Sequence, residues 1–284
     1  MEEEEDVSLF IVELAYNKQQ FRVTVSGNKS HLQIRTDTAP IWHKENMINM
    51  GVKALLPSNW KAFAWVDADV EFENPHWAKD TLKILNGSRD IVQIFSHAVD
   101  MDLNEDAMTV FAGFGFQYSK KRTYTKNGVN KMWHPGYGAA MTRKAYEKMG
   151  GVYQQSILGS GDHNMALALV GKGDISVNEF VNPDYLESVL EYQSKVKSLR
   201  LGYTPGVIRH YFHGSKKNRR YNERWEILVK HSFSPKLHLT TKENGLLVPS
   251  EECPQGLLDD ILEYFTMRNE DEGLIERMKE LHIQ

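Results

Sequence analysis

The run KAFAWVDADVEFENPHW, Lys61 to Trp77, decides the fold class. It opens as an unbroken apolar stretch, Ala62 to Val66, which reads as a strand covered on both faces. It then stops on two acids, Asp67 and Asp69, one small residue apart. Pro75 soon opens a helical pattern, PHWAKDTLKILNG, which Gly87 closes. A buried strand, a short link and an amphipathic helix are the parts of an α/β sheet. In such sheets ligands bind beyond the carboxyl ends of the strands.

The flanking sequence continues the alternation. Upstream, VSLFIVELAY reads as a strand, with QQFRVTV and HLQIRT as short strands around a turn at Gly27 and Asn28. APIWHKENMINMGVKALLP places Ile41, Ile48, Val52 and Leu55 near helical spacing and ends at Pro57. Downstream, DIVQIFSHAV is a second buried strand, and Asp102 to Asn130 is polar, glycine-rich and loop-like. RKAYEKMGG, GDHNMALALVGKG and NPDYLESVLEYQSKVKSL read as helices, the last with Asn182 as cap and Pro183 at its first position. GVIRHYFHG is strand-like, whereas NERWEILVKH and Gln255 to His282 are helical. No linker divides the chain. The expectation is one α/β domain over 1–235, a mixed central sheet flanked by helices, with a helical C-terminal appendage over 236–284.

Composition narrows the function. The chain has 284 residues and a net charge of −4, so no global basic field points to nucleic acid or an anionic membrane. A lone cysteine, Cys253, excludes an internal disulfide framework and a cysteine-built zinc site. No apolar stretch is long enough to span a bilayer, and the acidic start MEEEEDVS lacks a signal-peptide pattern. A soluble, cytoplasmic protein is expected.

The two acids carry the chemistry. At i and i+2 on a strand end, Asp67 and Asp69 point to the same side and repel. A hard divalent cation, Mg²⁺ or Mn²⁺, removes that cost and takes phosphate oxygens as further ligands. Helix capping is the alternative reading, but Asn74, directly before Pro75, suits that task better.

These segments together resemble the GT-A-fold nucleotide-sugar glycosyltransferases, and the β-1,4-galactosyltransferase family in particular. WVDADVEF resembles the family's D-x-D strand. WHPGYGAAMTRKAYEKMGGVYQQSILGSGDHNMALALVGKG is similar to its acceptor-side segment, and VIRHYFHGSKKNRRYNERWEIL to the later strand with a metal-binding histidine and a basic loop. WHKENMINMG matches an upstream helix, so the likeness runs from Ile41 to Lys230 in family order. Two features depart from the pattern. Leu158 and Gly161 stand where the acceptor motif has Trp and Glu, and the family's first nucleotide-binding strand has no obvious counterpart unless Leu9 to Ala15 fills that role.

The resemblance implies a metal-dependent transfer from a nucleotide sugar, UDP-linked, to a hydroxyl acceptor with inversion. It makes Asp69 a metal ligand, with Asp67 beside the ribose and the metal's water shell. Asp162 becomes the general base, Trp42 the contact to uracil and Lys44 a neighbouring donor-site cation. His213 is the first choice for the histidine ligand and His210 the alternative. Trp133, His134, Gly136, Tyr137 and His163 fall on the acceptor side. Lys216, Lys217, Arg219 and Arg220 would add positive charge for the diphosphate. Each residue also has a plainer reading: Asp162 as a helix cap, the histidines and tryptophans as core, the basic run as solvated surface. Two other functions stay open, a catalytically silent nucleotide- or carbohydrate-binding module and a transferase acting on modified nucleic-acid bases.

Overall fold

In the computed structural model residues 7–124, 133–214, 216–220 and 223–268 are described. Their elements, in chain order, begin with β1 (Ile11–Tyr16), β2 (His31–Thr36), α1 (Lys44–Leu55), β3 (Ala62–Val66), β4 (Val70–Phe72) and α2 (Trp77–Gly87). Next come β5 (Ile91–Gln93), β6 (His97–Met101), β7 (Ala107–Gly113), α3 (Phe114–Ser119), β8 (Trp133–His134) and β9 (Gly138–Thr142). The helices α4 (Arg143–Met149), α5 (Gly161–Leu169) and α6 (Pro183–Val196) precede β10 (Leu201–Tyr203) and β11 (Val207–His210). The chain closes with α7 (Arg224–Lys230), α8 (Pro235–His238), β12 (Leu239–Thr241), β13 (Leu247–Pro249) and α9 (Gln255–Arg268). This is a mixed α/β protein.

The chain divides into two compact units. The first holds Met1–Phe63, Met141–Leu199 and Trp225–Leu262, and the second Ala64–Ala140, Arg200–Arg224 and Glu263–Gln284. In the first unit β1 and β2 pair in parallel, Ile11 opposite His31 through Tyr16 opposite Thr36. Ile34, Met50, Leu246 and Val248 form a buried cluster there, with Val12, Leu14, Leu32 and Met47 packed against it. Residues 239–249 therefore belong to this core rather than to a helical appendage. Asn46 fixes them from α1: its Oδ1 accepts the Leu247 N–H (3.0 Å) and its Nδ2 donates to the Gly245 carbonyl (3.1 Å). Elsewhere in the unit Tyr185 of α6 is fully buried, its ring set edge-on to Phe233 at 5.6 Å.

QQFRVTV was expected to be a strand but has no ladder partner among the described residues. Its backbone donors go to a side chain instead. Glu13 Oε1 accepts the Arg22 N–H (2.6 Å), and Oε2 accepts the Thr24 N–H (2.9 Å) and hydroxyl (2.6 Å). Desolvation works against the charged carboxyl, but these bonds outweigh it and hold Glu13 down at about 2. A depressed carboxylate contributes stability above its unfolded value of about 4.3 and loses it as pH falls through the folded value. We expect the Glu13 carboxyl carbon to titrate near pH 2 by NMR, with the 22–24 backbone amides shifting in step. Titration near 4 would show that the clamp is absent.

In the second unit a five-stranded mixed sheet runs β4-β11-β6-β7-β8. β11 is antiparallel to β4 and parallel to β6, and β6 is antiparallel to β7. A four-stranded sheet has the order β10-β5-β9-β3, and the chain crosses between the units within β3 and β9. DIVQIFSHAV is thus two strands in two sheets, β5 and β6. Between them Ser96 hands its N–H to the Gly206 carbonyl at 2.9 Å. β3 is not covered on both faces as expected: it ends the sheet order, and Ala64 is exposed. The loop expected after Asp102 contains β7 and α3 in its described part.

Candidate metal centre

The two acids lie in the turn between β3 and β4, not on a continuous strand. Strand alternation therefore does not set their directions. The Asp67 N–H donates to the Tyr137 carbonyl (3.0 Å), and the Asp69 carbonyl accepts the Tyr211 N–H (2.9 Å). Because Val70 of β4 is paired with His210, the last residue of β11, Asp69 arrives beside that strand's end. Gly214, at φ 88°, takes the left-handed turn that follows His213.

Asp69, His210 and His213 each offer a ligand atom, all within 4.8 Å of one another. Asp69 Oδ2 is 3.4 Å from His210 Nε2 and 3.1 Å from His213 Nδ1. Its other oxygen, Oδ1, is shielded from solvent and has no hydrogen-bond partner among the described residues. An ionised oxygen buried without a donor is costly, and a cation is the natural partner. The donor set, one carboxylate and two imidazoles, fits Mn²⁺ better than Mg²⁺, which favours oxygen ligands throughout. His210 and His213 are thus not alternatives; both are brought to Asp69.

The two histidines are held differently. His210 is 5% exposed, and its Nδ1 meets Asp100 Oδ1 at 2.9 Å, which leaves Nε2 toward Asp69. His213 is half-buried, and Arg219 Nη2 lies against its ring, 2.6 Å from Nε2 and 3.1 Å from Nδ1. Burial raises the Asp69 carboxyl, yet the hydrogen bond from His210 and the charge of both imidazoles bring it below its ordinary value. Burial likewise pulls the His210 imidazole down, while Asp100 and Asp69 together hold it above the usual value.

The segment WHPGYG lies in the same unit. Gln93 Nε2 donates to the carbonyls of His134 (2.8 Å) and Gly136 (3.2 Å). The His134 ring stacks on Tyr137 at 4.1 Å, and Tyr137 sits at φ 73°, a strained conformation for a tyrosine. Trp133 is 6% exposed and edge-on to Phe114 at 5.1 Å, so it packs in the core rather than offering a face to a sugar.

No family model, curated protein or solved structure matches this chain. The site's chemistry therefore rests on its own geometry.

Asp162, His163, Trp42 and Lys44 belong to the first unit. Asp162 stands in the first turn of α5, and its Oδ1 accepts the His163 N–H at 2.7 Å. Trp42 is half-buried, its backbone N–H donating to the Ile157 carbonyl at 2.9 Å, and Lys44 opens α1. A Cβ at Gly161 would lie 2.5 Å from the Glu45 carboxyl carbon. Glu45 of α1 thus fills the space where a side chain at 161 would start. Lys216 falls in a short turn over Lys216–Arg219, and its side chain and that of Lys217 lie outside the described residues. Sequence reasoning missed Asp100. The signal was present, an acid inside the apolar run DIVQIFSHAVDM, because a fully buried carboxylate needs partners.

Proposed function

We propose that this protein is a metal-dependent glycosyltransferase of GT-A type that moves a sugar from a UDP-sugar to a hydroxyl acceptor with inversion. The observation that carries the reading is the convergence of Asp69, His210 and His213 at the end of a β-strand, with Asp69 Oδ1 lacking a donor among the described residues. The mixed order of the five-stranded sheet is compatible with it.

Asp69, His210 and His213 would hold Mn²⁺. When bound, the cation supplies Lewis-acid stabilisation of the charge that develops on the leaving diphosphate. Asp67, in the same turn as Asp69, would meet the donor, and Arg219, beside His213, would add positive charge. The acceptor oxygen attacks the anomeric carbon. The bond from that carbon to the diphosphate oxygen breaks, and UDP departs with the electron pair. Asp162 takes the acceptor's proton. It stands in the first turn of α5, and its Oδ2 has no partner among the described residues. Among the described residues no helix is long and apolar enough to cross a membrane, so the reading assigns no span.

The test is release of UDP from a panel of UDP-sugars with Mn²⁺, with and without chelator. Metal-dependent release that the chelator abolishes supports the reading, and no release from any donor removes it. A second reading follows from the donor set alone. Two imidazoles and a carboxylate also hold Fe(II) at oxygen-activating centres. Fe(II)-dependent oxygen uptake, with no effect of UDP on metal affinity, would favour that class.

A further inference from the structure

We propose that Asp100 is the positioning residue of this centre, setting which nitrogen of His210 faces the metal, with Tyr137 holding Asp100 in place. The inference rests on the reading that Asp69, His210 and His213 hold a divalent cation. Asp100 is on β6 and His210 on β11, directly opposite one another in the parallel pair. Asp100 is 1% exposed, and nothing in the proposed chemistry requires it to touch a substrate.

Asp100 Oδ1 takes two contacts, His210 Nδ1 at 2.9 Å and the Tyr137 hydroxyl at 2.7 Å. Both carboxylates beside the ring can only accept, and the shorter contact, 2.9 Å to Asp100 against 3.4 Å to Asp69, places the proton of the neutral ring on Nδ1. A neutral imidazole carries one proton. With Nδ1 protonated, Nε2 has its lone pair free, and Nε2 is the atom near Asp69, at 3.4 Å. Imidazole ligands of metals commonly donate their other N–H to a carboxylate in this way, which fixes the tautomer and the ring plane. The Tyr137 ring also lies against His210, centroids 4.4 Å apart, and restricts the ring's rotation.

Tyr137 reaches this position from a strained backbone, φ 73°. Strain of this kind persists only where surrounding structure over-determines it. The stack on His134, the bond to Asp100 and the Gln93 clamp on the carbonyls of residues 134 and 136 supply that determination. WHPGYG therefore serves the metal centre from behind, through Tyr137, whatever else it does on the acceptor side.

The experiment begins with the wild-type protein without metal. At a pH where the His210 ring is neutral, nitrogen NMR of labelled histidine should place the proton on Nδ1 and leave Nε2 bare. A proton on Nε2 overturns the proposal, and this outcome does not depend on whether the protein binds metal or turns over a sugar. The second arm is Mn²⁺ affinity by calorimetry in Asp100→Asn. An amide can donate as well as accept, so the tautomer is released, and affinity should fall 10- to 100-fold, the range typical of such partners (~10–100-fold). In a His210→Ala background Asp100→Asn should change Mn²⁺ affinity by less than about twofold, because its effect passes through that ring. A merely structural role predicts an equal loss in both backgrounds and would overturn the assignment. If Asp100→Asn does not fold, the wild-type tautomer decides alone. Absence of Mn²⁺ binding by the wild type, with Nδ1 protonated, would refute the metal reading while leaving the Asp100–His210 geometry in force.

Discussion

Replacing Asp69 by Asn should reduce metal-dependent UDP release at least about 1,000-fold, a loss of roughly 4 kcal/mol of transition-state stabilisation. The substitution keeps the shape of the side chain and removes only its charge. Asp69 brings the carboxylate of the three candidate ligands, and its Oδ1 has no donor among the described residues. An amide binds a divalent ion far more weakly, so Mn²⁺ affinity should fall with turnover. Asp162→Asn gives the contrasting result. It should lower turnover by about 100- to 10,000-fold, as expected for loss of a general base, and leave Mn²⁺ affinity unchanged. The pair separates a ligand from a base. Turnover of Asp69→Asn within threefold of wild type would remove the ligand from the account, and a loss of metal affinity in Asp162→Asn would remove the base.

Gly115→Ala should be the most destabilising single methyl added to the second unit, by about 3 kcal/mol, the upper end of the usual range for overpacking. A Cβ at residue 115 would lie 2.3 Å from the Gly202 carbonyl oxygen. The opposing atom is backbone of β10, so no side-chain rotation relieves the contact. The consequence reaches the site. The Gly115 N–H donates to Gln93 Oε1 at 3.0 Å, and the same amide's nitrogen holds the carbonyls of His134 and Gly136. Chemical denaturation measures the change, and a loss below about 1 kcal/mol would show that α3 and β10 move apart freely. A shift of the His134 and Tyr137 ring signals should accompany the destabilisation.

The sequence was most informative where local chemistry and burial agreed. α6 begins where Asn182 and Pro183 predict, and the Asn182 side chain accepts the Asp184 N–H. α4 ends on Gly150 at φ 73°, as a glycine stop requires. The three residues of the candidate centre were each visible by type, Asp69 ending an apolar run and the histidines in RHYFHG. Where to place the acids was less accessible, because a strand and a turn after a strand look alike in an apolar run that stops. The break between β5 and β6 was hidden for a related reason. Ile94 and Phe95 are buried although they belong to neither strand, so hydrophobicity alone joins the two. QQFRVTV failed as a strand because Glu13, several residues earlier, takes its N–H groups, a competition that β-propensity does not register. That His210 and His213 come together rather than standing as alternatives was not legible from spacing, since Asp69, which both approach, is far away in sequence.

The central claim, that Asp69, His210 and His213 form one site for a divalent cation, is tested most directly by calorimetric titration of the wild-type protein with Mn²⁺, alone and with UDP. The account predicts one site per chain, tighter when UDP is present, and at least tenfold weaker in both His210→Ala and His213→Ala. Binding that neither histidine substitution weakens, or no binding at all at millimolar Mn²⁺ with UDP, would contradict it.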